Sequence, residues 1–127
     1  MSTQENKTAA RRYFEDIWNK RNLAAIDELV AVNFVGYAPD ATIQGAEALK
    51  QRINTGLAGY SAMHFTIEDV MAEGDKVCVR WKYHATHAGE SIDDNAAGKQ
   101  ATAIGMHLFR IASSKIEEFW VNVNDLE

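Results

Sequence analysis

One cysteine and one proline stand in 127 residues, and each scarcity narrows what the chain can be. With Cys78 alone there is no internal disulfide and no thiolate metal cluster, which fits a reducing compartment. Basic residues are outnumbered, 13 Lys and Arg against 18 Asp and Glu, for a formal charge of −5. Binding a phosphate backbone needs a basic patch, and the Arg11-Arg12 pair is too small to make one, so no nucleic-acid partner is expected. No apolar run is long enough to span a bilayer, and MSTQENKTAA lacks a signal peptide's apolar core. A cytoplasmic protein with no membrane partner is expected. Repeats, low-complexity tracts and linkers are missing as well. What is left reads as a single domain over residues 1–127, 46% hydrophobic. That length buries roughly two-thirds of the surface its unfolded chain exposes.

The first half has helical periodicity. Ser2 and Glu5 have capping-box spacing, and Ala10, Tyr13, Phe14, Ile17 and Trp18 then fall on one stripe. A short helix is expected over Leu23 to Ala31, a brief strand over Phe34 to Tyr37, and a third helix built on Ala46, Leu49, Ile53 and Leu57. The second half alternates. Gly74-Asp75 marks a tight hairpin turn. The strand from Val77 to His87 separates Val77, Val79, Trp81, Tyr83 and Ala85 from Cys78, Arg80, Lys82, His84 and Thr86. Strands over Gln100 to Ile111 and Ile116 to Asn124 complete an α+β pattern, with helices on one face of an antiparallel sheet. His84 and His87 lie three apart on a strand and point to opposite faces, so they do not chelate one ion and no metal site is expected.

Several stretches are familiar: RRYFEDIWNKRNLAAIDELVAVNFV, FTIEDVMAEGDKVCVRW, THAGE, the Gly98-Lys99 pair, FRI and KIEEFW. In this order, over nearly the whole chain, they resemble the SnoaL-like polyketide cyclase family of the nuclear transport factor 2-like superfamily. The resemblance implies a cone-shaped, curved antiparallel half-barrel packed against N-terminal helices. It also implies a lipophilic pocket, a homodimer, and neither metal nor organic cofactor. The stripe Ile104, Met106 and Leu108 suits a dimer surface, and a monomer in light scattering at micromolar concentration would remove that expectation. The chain departs from the pattern at three places. Asp93 to Gly98 replaces a GxPPTG-like run, and Gly36-Tyr37 stands where many relatives have Asp-His. The last strand offers Asn122 and Asn124 where the cyclases carry an acid/base aspartate, Asp125 being the nearby Asp.

The most distinctive candidate is His107, inside the apolar run GMHLFRI. Alternation places it with Gly105 and Phe109 on the concave face, as a pocket acid/base or as a core histidine bonded to a carboxylate. Glu118, Trp120, Asn122 and Asn124 share one face of the last strand. If that face is concave, Glu118 forms a dyad with His107, and Asn122 and Asn124 donate to a developing oxyanion; otherwise they are ordinary strand polarity. Tyr13, Phe14, Trp18, Trp81, Tyr83, Phe109 and Trp120 are the candidate ligand wall, as well as candidate core. Tyr37 joins them because relatives often place a polar pocket residue there. Asp93 and Asp94 sit in a polar loop that is a candidate gate. The expected function is a cofactor-free enzyme acting by proton transfer on a small lipophilic carbonyl compound, in an aldol-type cyclisation or an isomerisation. An epoxide hydrolase-like enzyme and a non-catalytic binder of hydrophobic ligands are the alternatives.

Overall fold

A computed structural model of the chain describes residues 2–88 and 99–126; the Asp93-Asp94 loop lies outside them. Helix α1 (Thr3–Arg12) starts at the capping box read from the sequence. Ser2 Oγ accepts from the Glu5 N–H at 3.1 Å and the Glu5 carboxylate accepts from the Ser2 N–H at 3.2 Å. The stripe expected to continue as α-helix instead widens into a π-helical segment, Tyr13–Asn19. Bonding from i to i+5 stacks residues five apart, so Tyr13 and Trp18 face the same way. Asn19 then fixes this segment to an edge strand. Its amide donates to the Phe65 carbonyl (2.9 Å) and accepts from the Phe65 N–H (2.7 Å), pairing the strand backbone as a neighbouring strand would.

Helix α2 (Ala25–Leu29) leads into β1 (Val30–Tyr37) and the short β2 (Thr42–Gln44), and α3 spans Ala46–Ala58. Four long strands follow: β3 (Tyr60–Glu73), β4 (Lys76–His87), β5 (Gln100–Ala112) and β6 (Lys115–Leu126). The sheet order is β2-β1-β6-β5-β4-β3. Every junction is antiparallel except β1–β6, which is parallel, so the expected all-antiparallel sheet holds at four of its five junctions. The β5–β6 turn carries Ser113 and Ser114 at φ 52° and 67°, the backbone that a two-residue type I′ hairpin requires.

The curved, unclosed sheet holds its core on one face only. Val77, Val79 and Trp81 of β4, Phe109 of β5 and Phe119 of β6 pack beneath Tyr13, Phe14 and Ile17, with Leu49, Ile53 and Leu57 of α3 closing one side. Cross-strand partners share a face. The opposite, convex face therefore carries Cys78, Arg80, Lys82 and His84 beside Ile104, Met106 and Leu108, the last three exposed.

Candidate active site

His107 lies on the concave face, directly opposite Val79 on one neighbouring strand and Val121 on the other, and only 6% of it is exposed. The Trp81 indole N–H donates to its Nδ1 at 2.8 Å. An indole nitrogen can only donate, so Nδ1 must offer a lone pair and the ring proton sits on Nε2. Phe14 and Phe119 stand edge-on to the imidazole at 5.0 Å, and Phe109 stacks on it at 5.4 Å. Burial in this aromatic cage pushes the imidazole pKa down from 6.5 to about 3. At neutral pH the ring is therefore uncharged, and Nε2–H has no hydrogen-bond partner among the described residues. Acid/base work near neutral pH needs a ring that titrates there, and burial works against that at His107.

Gly105 makes this pair possible. A Cβ at this position would lie 2.4 Å from Trp81 Cζ2 and 2.6 Å from the Asn122 carbonyl oxygen. Only a residue without a side chain lets the indole lie across β5 and reach His107.

His107 opens onto a cavity of about 270 Å³. Of the aromatic residues proposed from sequence, Tyr13, Trp18, Trp81 and Tyr83 line it. Phe14 and Phe109 are fully buried and press on His107 from the core. Tyr37 and Trp120 are not in the wall: opposite each other on β1 and β6, they stack at 5.7 Å on the convex face. Burial raises the Tyr13 phenol above its ordinary range, an effect that Trp18 and Arg52 reduce.

Strand β6 turns the opposite way from the polar-face-inward arrangement. Phe119, Val121 and Val123 face the cavity, because they oppose Phe109, His107 and Gly105. Glu118, Asn122 and Asn124 oppose Arg110, Met106 and Ile104 on the convex face. The expected Glu118–His107 pair does not form. Glu118 instead accepts from Arg110 Nε at 2.6 Å, an ion pair across the outer surface. Asn122 and Asn124 are exposed there and cannot reach an oxyanion in the cavity.

Asp125 is on the cavity side. It opposes Ala103, two residues beyond Val123 and four beyond the His107–Val121 pair, roughly 13 Å along the strand. Burial, then Tyr60, then the Asp125 charge push the Tyr83 phenol up to about 12, so the carboxylate acts on a ring that lines the cavity. The sequence reading left Asp125 unassigned, although simple alternation from Val121 and Val123 points to it.

Two cavity-lining charges were also missed, Asp40 after β1 and Arg52 on α3. Arg52 donates through Nη2 to Asp40 Oδ1 (2.7 Å) and through Nη1 to Oδ2 (3.2 Å), which holds the carboxyl below the usual range. For Arg52 a signal was present: it follows Leu49 by three and adjoins Ile53, on the same stripe of α3. Among the described residues no group of three or more His, Cys, Asp or Glu is placed to hold a metal ion, and no helix is long and apolar enough to cross a membrane.

The model of the SnoaL-like polyketide cyclase family matches residues 8–127. Among solved structures, the chain is similar to AclR of Streptomyces galilaeus, with 24% identity, TM-score 0.83, and 97% of this chain and 77% of that one covered. It is also similar to a SnoaL-like protein of Jannaschia sp. CCS1, with 18% identity, TM-score 0.85, and coverage of 96% and 87%. A third is the LEH-like epoxide hydrolase of M. tuberculosis, with 11% identity, TM-score 0.77, and coverage of 96% and 84%. At these identities the structures establish the fold alone. No curated protein matches the sequence.

Proposed function

Because the chain belongs to the SnoaL-like polyketide cyclase family, we propose that its cavity binds a lipophilic carbonyl compound and catalyses proton transfer next to the carbonyl. The Trp81–His107 hydrogen bond carries this reading. It fixes a neutral imidazole with Nε2–H free, and such a donor polarises a carbonyl and steadies the enolate oxygen without giving up its proton. Asp125, an exposed carboxylate on the same face, takes the α-proton. The resulting enolate either adds to a second carbonyl of the same molecule, an aldol-type ring closure, or is reprotonated at another carbon, an isomerisation. Their strand positions are roughly 13 Å apart along the sheet, so the imidazole and the carboxylate must both lean inward to meet one carbonyl and its α-carbon.

The epoxide hydrolase-like alternative has less support. It needs carboxylates to activate water and to protonate the epoxide oxygen, and with Asp40 holding both oxygens on Arg52, Asp125 is the one free carboxylate identified on the cavity face among the described residues.

Deuterium incorporation next to the carbonyl of a panel of lipophilic ketones, followed by NMR in D2O, tests the proposal. Catalysed exchange should fall about a hundredfold in Asp125→Asn and persist in Glu118→Gln and Asn124→Ala. Exchange that survives loss of the Asp125 carboxylate would remove that residue from the mechanism. Ketones that bind without any exchange would turn the reading to a non-catalytic ligand-binding protein.

A further inference from the structure

The chain has four histidines. His107 is buried, and the His87 ring lies tilted against Tyr60, with centroids 5.0 Å apart. His84 was set aside as a metal ligand because His87, its neighbour in sequence, points to the other face. Strand pairing supplies a different partner. His64 of β3 stands directly opposite His84 of β4, and both are exposed on the convex face. Residues opposed in this way have Cβ atoms about 4.5–5.5 Å apart, a separation from which two imidazoles can turn onto one ion at about 2.0–2.1 Å from each nitrogen. A third strand contributes Thr102, opposite His84, whose Oγ1 lies 3.4 Å from His84 Nδ1. A hydroxyl accepting from Nδ1–H leaves the Nε2 lone pair for a metal, the outer-shell arrangement that orients ligating histidines.

We propose that His64 and His84 form a surface site for a borderline-soft divalent transition ion such as Zn2+, with Thr102 as a positioning residue and water in the remaining coordination positions. Imidazole is a preferred ligand for such ions, while Mg2+ and Ca2+ select oxygen donors. Two neighbouring cations temper the affinity differently. Arg80 is neutralised by Asp69, with Nη2 to Oδ2 at 2.6 Å. Lys82, one pair along on the same face, opposes a bound cation. The site is independent of the cavity and of the chemistry proposed there.

Isothermal titration of tag-free protein with ZnCl2 tests the site, with MgCl2 as the control. Saturable one-to-one zinc binding is expected, weakened more than tenfold by His64→Ala and by His84→Ala. His87→Ala should leave it unchanged. Thr102→Val should weaken it about tenfold, and a Thr102→Ser variant that keeps the hydroxyl should restore it. All four positions sit on strands, and unaltered far-UV circular dichroism would show that the five variants fold. No zinc binding, binding that survives His64→Ala, or binding lost in His87→Ala would each overturn the proposal.

Discussion

Acidification from pH 6.5 to about pH 3 is expected to cost this fold about 4–5 kcal/mol through His107 alone. The ring titrates near 6.5 in the unfolded chain and near 3 in the folded one, because burial without a counter-charge penalises the imidazolium. Below pH 6.5 the unfolded state takes up a proton that the folded state refuses, so stability falls with pH until the folded ring also titrates. Trp81 adds to the effect, since protonating Nδ1 would set two donors against each other. Carboxylates such as Asp16 and Glu28, held low by Arg12, also lose stability in acid, but only once unfolded carboxyls begin to protonate near pH 4–5. Denaturant unfolding between pH 6.5 and 4.5 therefore isolates His107, with an expected loss of about 2–3 kcal/mol. His107→Gln, which keeps an acceptor and does not titrate, should flatten that limb. An acid limb of equal slope in the variant would mean that the imidazole is not the responsible group.

Gly105→Ala should destabilise the protein by about 2–3 kcal/mol, the cost of forcing a methyl into a filled core. The new methyl would meet a backbone oxygen, Asn122 O, as well as the six-membered ring of Trp81, so a rotamer change alone cannot relieve it. The indole must shift, and the hydrogen bond to His107 goes with it. Urea melts should show a lower midpoint at unchanged m, and the His107 ring nitrogens should shift in NMR as Nδ1 loses its donor. Trp81→Phe removes the atoms nearest the new methyl. In that background Gly105→Ala should cost at least about 1 kcal/mol less, the mark of coupled neighbours. Equal costs in both backgrounds would locate the strain at β6 and leave Trp81 out of it.

Much of the fold was legible because it is written in period. The capping box, the Gly74-Asp75 hairpin and the two-faced strand Val77 to His87 follow from spacing alone, and alternation put His107 on the concave side. Strand β6 was harder because both of its faces carry large apolar residues, Trp120 on one and Phe119, Val121 and Val123 on the other. Period two tells which residues go together without telling which set faces inward, and the wrong choice moves every side chain at once. Glu118, Asn122 and Asn124 were candidates on one choice, and Asp125 is the candidate on the other. The Asp40–Arg52 pair joins the segment after β1 to a helix across the cavity, a contact with no periodic trace. The π-helical turn likewise depends on packing: Asn19 gains two backbone partners on β3 that an α-helical register would place elsewhere.

The place of β6 in the sheet bears on how the molecule is made. It is the last of the six strands in chain order, yet it sits inside the sheet between β1 and β5. During synthesis β1–β2 and the β3–β4–β5 meander can each form early, but they remain separate pieces, each with an unpaired edge where β6 will go. Joining them requires β1 to find a strand more than seventy residues downstream, as in the Gly36–Phe119 pairing, so the decisive contacts are long-range and closure is slow. Until then the cavity lacks its Phe119, Val121 and Val123 wall, and two open strand edges invite pairing with other chains. Yield in a cell would therefore be limited by how quickly β6 enters the gap, more than by the stability of the finished fold.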